Sequence, residues 1–235
     1  VQGVLPSYTK LGMAALLPNT SIEINDKYDV LVNGANSNGT ENRNNILKME
    51  NSNSLAITYD KVIDMKDAEI RKAFTGLDVV YLYHNAIDAV GDHALTEREV
   101  FKSTEVAFNE IITLINKLVN RVSAASIIIT ADHGYLYKRD AMEETDKISG
   151  VKMDDGEDSR RFILTSNNDN IEGTIEFSMD YLLGEGSDKK VITPRGTFRF
   201  KVQGAGANYV HGGAMLQEIV VPVIKFKNDR STSSA

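Results

Sequence analysis

The pattern that most restricts what this chain can fold into is a pair of short, almost unbroken apolar runs separated by one long helical stretch. Residues 79–83 read VVYLY and residues 127–131 read IIITA. Continuous β-branched and aromatic runs of this length suit strands covered on both faces. Between them, Thr96 and Glu99 stand at capping-box spacing. Phe101, Phe108, Ile111, Ile112, Ile115, Leu118, Val119 and Val122 then recur at helical intervals. Strand, helix, strand predicts a parallel pair joined by a right-handed crossover, and so an α/β fold. A third run, 219–224 (IVVPVI), predicts another strand, pushed toward a sheet edge by Pro222.

The rest of the chain fills in around this unit. Helices are expected over 9–17, stopped by Pro18, and over 67–74, just before Gly76. Residues 33–53 are crowded with Asn, Ser and Gly and predict a loop with one short helix. Residues 138–158 are charged, contain Asp154-Asp155-Gly156, and predict an exposed insertion. Short strands are expected over 161–165, 189–193 and 197–202. No repeat or linker divides the chain, so 1–227 reads as one domain and 228–235 as a polar, disordered tail. A chain that opens on Val1 reads as a C-terminal fragment of a longer protein.

Composition removes several chemistries. There is no cysteine, so disulfides, thiolate zinc sites, iron–sulfur clusters and cysteine nucleophiles are excluded. Lys and Arg total 26 against 33 Asp and Glu, a net charge of −7, which argues against direct binding to DNA phosphates. The apolar runs are too short to span a bilayer and no signal peptide is visible, so a cytoplasmic location away from membranes is expected.

The residues that carry chemistry stand at the ends of these runs. The IIITA run leads into Asp132-His133-Gly134, and in open α/β sheets sites form at the carboxyl ends of strands. Asp and His together are ligands for a zinc-like ion. After VVYLY come Asp88 and Asp92, four apart, a spacing that puts both carboxylates on one side of a helical turn. Two such carboxylates repel unless a cation lies between them. The third group is His211-Gly212-Gly213. Taken singly, each has an ordinary explanation: a turn or cap, a solvated loop, a packing histidine. Their co-occurrence at expected strand ends is what points to a metal. The segment Leu5-Pro6-Ser7-Tyr8-Thr9 adds hydroxyls that a metal would activate; without one, Thr9 is just a helix start. There is no G-x-S-x-G elbow and no phosphate-binding glycine loop, and Gly204-Ala-Gly206 lacks both a third glycine and a strand before it.

Taken in order, P-S-x-T at 6–9, the Asp88/Asp92 pair, Asp132-His133-Gly134, and the H-G-G-x-x-x-x-E-x-x-V-P run from His211 to Pro222 resemble the alkaline phosphatase superfamily. Within it, PSYTKLGMAALLP, YHNAIDAVGD, TADHGY and NYVHGGAMLQEIVVPV are most similar to the PglZ domain of the BREX bacteriophage-defence systems, nearest to its type A. The resemblance spans essentially the whole chain. It implies a mostly parallel central sheet flanked by helices. It implies two divalent metal ions, zinc foremost, with Asp88, Asp92 and His211 at one and Asp132 and His133 at the other. Thr9 would be the nucleophile between them. His93 follows Asp92 directly; either can ligate, and spacing favours Asp92. No Asp precedes Thr9, so the family's first strand and its Asp ligand are missing from this chain.

The function so implied is hydrolysis of a phosphoester substrate, as a phosphatase or phosphodiesterase. Arg160, Arg161 or Arg195 could offset phosphoryl charge, though a surface salt bridge is the more ordinary role for each. The implied partners are other BREX proteins, including a DNA methyltransferase. A structural module of a BREX complex with a vestigial metal site is the alternative, and a phosphomutase would use the same ligand types.

Overall fold

The computed structural model describes residues 1–149, 157–168, 170–202 and 208–228, so 154–156, 204–206 and the tail beyond Asn228 lie outside the described residues. The expected strand, helix and strand all form, as Val79–Tyr83, Val100–Val122 and Ser126–Thr130. Their pairing differs from the expectation. Val79–Tyr83 runs parallel to Ser54–Thr58, with Ser54 opposite Val79 and Thr58 opposite Tyr83. Ser126–Thr130 runs antiparallel to Val223–Lys227, with Thr130 opposite Val223. The two strands of the crossover are therefore not hydrogen-bonded to each other.

The fold is mixed α/β with several small sheets, and not one mostly parallel central sheet. Among the described residues only two ladders are parallel, 54–58 with 79–83 and 147–148 with 199–200. The physical reason is that a crossover helix fixes the relative direction of two strands but not their adjacency, which distant segments decide. Nor are these strands covered on both faces, since Val79 is 42% and Ile128 61% exposed.

Two local expectations also shift. The third apolar run does not begin a strand at Ile219, which instead ends the short helix Leu216–Ile219. The strand starts at Val223, after Pro222, because proline has no N–H to give a ladder. The Pro222 carbonyl instead accepts the Thr130 hydroxyl at 2.8 Å. Thr96 makes no side-chain cap. Its hydroxyl donates to the Val90 carbonyl at 2.7 Å, and a 3₁₀ turn over Glu97–Glu99 leads into the long helix.

The helices Thr9–Ala15 and Asp67–Phe74 lie where the spacing placed them, and 33–53 holds a 12-residue helix, Gly39–Glu50. The main core joins Leu11 and Ala14 to Val30, Val32, Leu47, Leu164 and Val191. Each fully buried Leu or Val here contributes about 1.5–3 kcal/mol of transfer free energy. A four-stranded antiparallel sheet runs in the order Thr174–Ser178, Lys190–Pro194, Ile163–Thr165, Glu157–Asp158. A second cluster packs Leu114 of the long helix on Ile57, Val62, Ile70 and Phe74, while Phe101, Phe108 and Ile112 stay exposed. No helix among the described residues is long and apolar enough to cross a membrane.

Candidate metal centre

The centre is assembled by close approach of the chain's start to the loop after Ser126–Thr130. Thr9 opens its helix, and Gly12 follows three residues later on the same face. A Cβ on Gly12 would stand 2.9 Å from the Asp132 Cβ and closer still to its carbonyl oxygen. Only glycine lets the helix sit this near the Asp132 backbone. The result is that Thr9 Oγ1 lies 3.1 Å from His133 Nε2. His133 Nδ1 is 3.0 Å from the Gly134 carbonyl, to which it donates, so its Nε2 lone pair faces Thr9 and the carboxylates.

His133 Nε2 is also 3.7 Å from Asp88 Oδ2 and 3.6 Å from Asp132 Oδ2. Ligand atoms of Asp88, Asp132 and His133 all lie within 4.8 Å of one another. Around them the sequence-predicted residues gather closely. The His211 ring stacks on His133, with centroids 4.0 Å apart and planes at 12°, and His211 Nε2 is 3.7 Å from Asp92 Oδ1. The distances thus group Asp88 with Asp132 and His133, where the resemblance put it with Asp92 and His211. Of the two neighbours, Asp92 is the one beside His211, while His93 is exposed and its carbonyl accepts the Thr96 and Glu97 amides.

Two features of this cluster fit a cation. Asp132 Oδ2 is buried without a hydrogen-bond partner, and such an orphaned acceptor is rare without a ligand, ion or water. Burial pushes the Asp132 carboxyl up, and Asp88 adds to the rise against the opposing pull of His133. Burial alone would lower the His211 pKa, but Asp92, Asp88 and the Ser7 backbone outweigh it, and the net shift is upward. A negative cluster that draws protons onto its members is also one that a divalent ion can neutralise.

Thr9 and Ser7, the two candidate hydroxyls, have different surroundings. Thr9 is exposed. Ser7 is 1% exposed, donates its hydroxyl to the Gly213 carbonyl at 2.8 Å, and pairs its amide with the Gly212 carbonyl at 3.2 Å. It ties the start of the chain to the His211 loop.

Sequence reasoning left other functional side chains unassigned. Glu218 is fully buried against Arg161, with Nε–Oε1 2.9 Å and Nη2–Oε2 2.8 Å. The same carboxylate accepts the Gly213 and Met215 amides at 3.0 and 3.1 Å, and so fixes the loop that carries His211. Arg161 further donates to the Gly196 and Phe198 carbonyls. It is fully buried among these partners, so it does not face solvent where a phosphoryl group would enter, contrary to the expectation for this arginine. Arg160 donates to the Val202 carbonyl and Arg195 to the Thr174 carbonyl, each at 3.1 Å. Glu97, 6% exposed, accepts the Asn208 and Tyr209 amides, and the Tyr209 hydroxyl donates to Asp88. The only sequence signal for Glu218 and Tyr209 was their place in the family-like run NYVHGGAMLQEIVVPV; Glu97 carried none.

Comparison with known proteins places this arrangement. The family described as the BREX system PglZ alkaline phosphatase-like domain matches residues 1–226. The chain belongs to that family. It is 55% identical over 234 residues to the alkaline phosphatase-like protein PglZ of Bacillus cereus (strain H3081.97), covering 100% of this chain and 27% of that protein. It is 36% identical over 236 residues to the alkaline phosphatase-like protein BrxZ of Escherichia coli O9:H4 (strain HS), covering 99% of this chain and 27% of that relative. The chain thus spans about a quarter of the length of these PglZ relatives.

Proposed function

We propose that this PglZ domain is a metal-dependent phosphoesterase with Thr9 as its nucleophile. The observation that carries the reading is an exposed Thr9 hydroxyl 3.1 Å from His133 Nε2, beside the Asp88 and Asp132 carboxylates. Asp88, Asp132 and His133 would hold one divalent ion, and Asp92 and His211 a second. The Asp88 charge also acts on His211. The nitrogen and oxygen donor set suits zinc. Bound ions would polarise the phosphoryl group and lower the pKa of a nearby hydroxyl. Thr9 Oγ1 then forms a bond to phosphorus as the ester oxygen leaves, and the departing alcohol regains through solvent the proton that Thr9 loses. Attack by water on the phosphothreonine releases phosphate and restores the hydroxyl.

In the cell we place this domain in the cytoplasm, within a longer polypeptide that works beside other BREX proteins, among them a DNA methyltransferase. The acidic chain leaves DNA contact to those partners. The exposed Phe108 and Ile112 favour a second reading, a docking module within a BREX complex, which predicts no hydrolysis with or without zinc.

The test is hydrolysis of an aryl phosphate and an aryl phosphodiester, with and without added zinc, in a chain extended toward the relatives' length. Thr9→Ala should lower the rate on the order of 10²-fold or more, since the covalent step loses its nucleophile. Ser7→Ala should keep most of the activity. Near-full activity in Thr9→Ala would refute the assignment.

A further inference from the structure

We propose that Tyr209 is a positioning residue that holds Asp88 as a one-oxygen ligand. The inference rests on the metal-centre reading above and adds a residue to it. The Tyr209 hydroxyl donates to Oδ1 of Asp88, and the other oxygen, Oδ2, is the one 3.7 Å from His133 Nε2. A neutral donor engaged at Oδ1 leaves one oxygen to face a cation and sets the rotation of the carboxylate. Partners of this kind, one step removed from the ion, orient ligands and tune affinity.

The surroundings of Tyr209 are shaped for this contact. Asp88 and Gly91 lie three apart in the helix Ala86–Gly91, on one face. A Cβ on Gly91 would stand 2.6 Å from the Tyr209 ring, so only a bare backbone there lets the ring lie against the helix and the hydroxyl reach back to Asp88. The Tyr135 ring also packs against that of Tyr209, with ring centroids 4.8 Å apart. The main chain of Tyr209 is fixed as well, since its N–H donates at 3.3 Å to the buried Glu97 carboxylate. The strand Tyr209–Val210 pairs with Leu136–Tyr137 and passes directly into His211, so the same short strand sets a candidate ligand and the orienter of another.

The test uses Co(II) as the probe ion, read by affinity and by its visible d–d spectrum. Tyr209→Phe keeps the ring and deletes only the hydroxyl. Co(II) affinity should fall about 10–100-fold and the spectrum should change, as Asp88 becomes free to turn or to bind through both oxygens. Gly91→Ala keeps the hydroxyl but displaces the ring, and should reproduce the spectrum of Tyr209→Phe; it decides the matter if Tyr209→Phe fails to fold. A purely structural tyrosine would lower the unfolding midpoint and leave the spectrum unmoved. Asp88→Asn separates the two levels. If it abolishes Co(II) binding while both other variants keep the parent affinity and spectrum, the positioning role is overturned and the metal centre stands. If Asp88→Asn binds Co(II) like the parent, the metal-centre reading itself has failed.

Discussion

Replacing Glu218 by Gln removes one negative charge from the interior while nearly preserving shape. In the parent, both carboxylate oxygens bind Arg161, at 2.9 and 2.8 Å, and both side chains are fully buried. The amides of Gly213 and Met215 depend on the same oxygens. Glutamine can still accept from one or two of these donors, but its NH₂ group faces the guanidinium, and the Arg161 charge is left buried and unpaired. Removing one partner of a buried pair costs about 3–5 kcal/mol. For a domain whose total stability is about 5–15 kcal/mol, that is a fifth or more of the margin. At about 2–4 °C per kcal/mol for a chain of this size, the unfolding midpoint should drop by roughly 6–20 °C. Denaturant titration of parent and variant measures the loss directly. A joint change, Arg161→Met with Glu218→Leu, should recover only part of it, because Gly196, Phe198, Gly213 and Met215 lose backbone partners too. A Glu218→Gln variant within about 1 kcal/mol of the parent, the scale of an exposed ion pair, would refute the reasoning.

Two further outcomes are expected. Gly12→Ala should force the first helix away from Asp132, costing about 1–3 kcal/mol of stability and weakening phosphoester hydrolysis together; a variant with parent stability and activity would contradict the close approach. Acidification should release metal. The Asp132 and His211 pKa values are raised in the fold, so the metal-free protein holds their protons more tightly than the unfolded chain does and is favoured by falling pH. Metal binding needs those protons gone, so its contribution to stability should grow with pH, most steeply as His211 titrates above its ordinary value near 6.5. Thermal scans with and without zinc across about pH 6–8 check this, and a zinc-induced shift that stays constant would count against it.

Most of the candidate site was legible in the sequence because its parts are short and local. Asp132-His133-Gly134 follows an apolar run, Asp88 and Asp92 share a helical turn, and His211-Gly212-Gly213 precedes the last strand; each is a few residues read against a period. The helices Thr9–Ala15, Asp67–Phe74 and Val100–Val122 were legible on the same ground. Strand partners were not. Nothing in VVYLY or IIITA states that the first pairs with residues 54–58 and the second with 223–227, because backbone N–H and C=O groups are the same at every residue and adjacency is settled by long-range packing. The supports of the site were hidden for a related reason. Arg161 and Glu218 are 57 positions apart, and Tyr209 and Asp88 are 121 apart. A charged or hydroxylated side chain looks like a surface residue until the fold removes it from water, and burial then compels it to find its partner. The sequence alone determined which carboxylates, imidazoles and hydroxyls are candidates for a site. Only the tertiary structure decided which of them face one another, since that depends on which distant segments lose their water together.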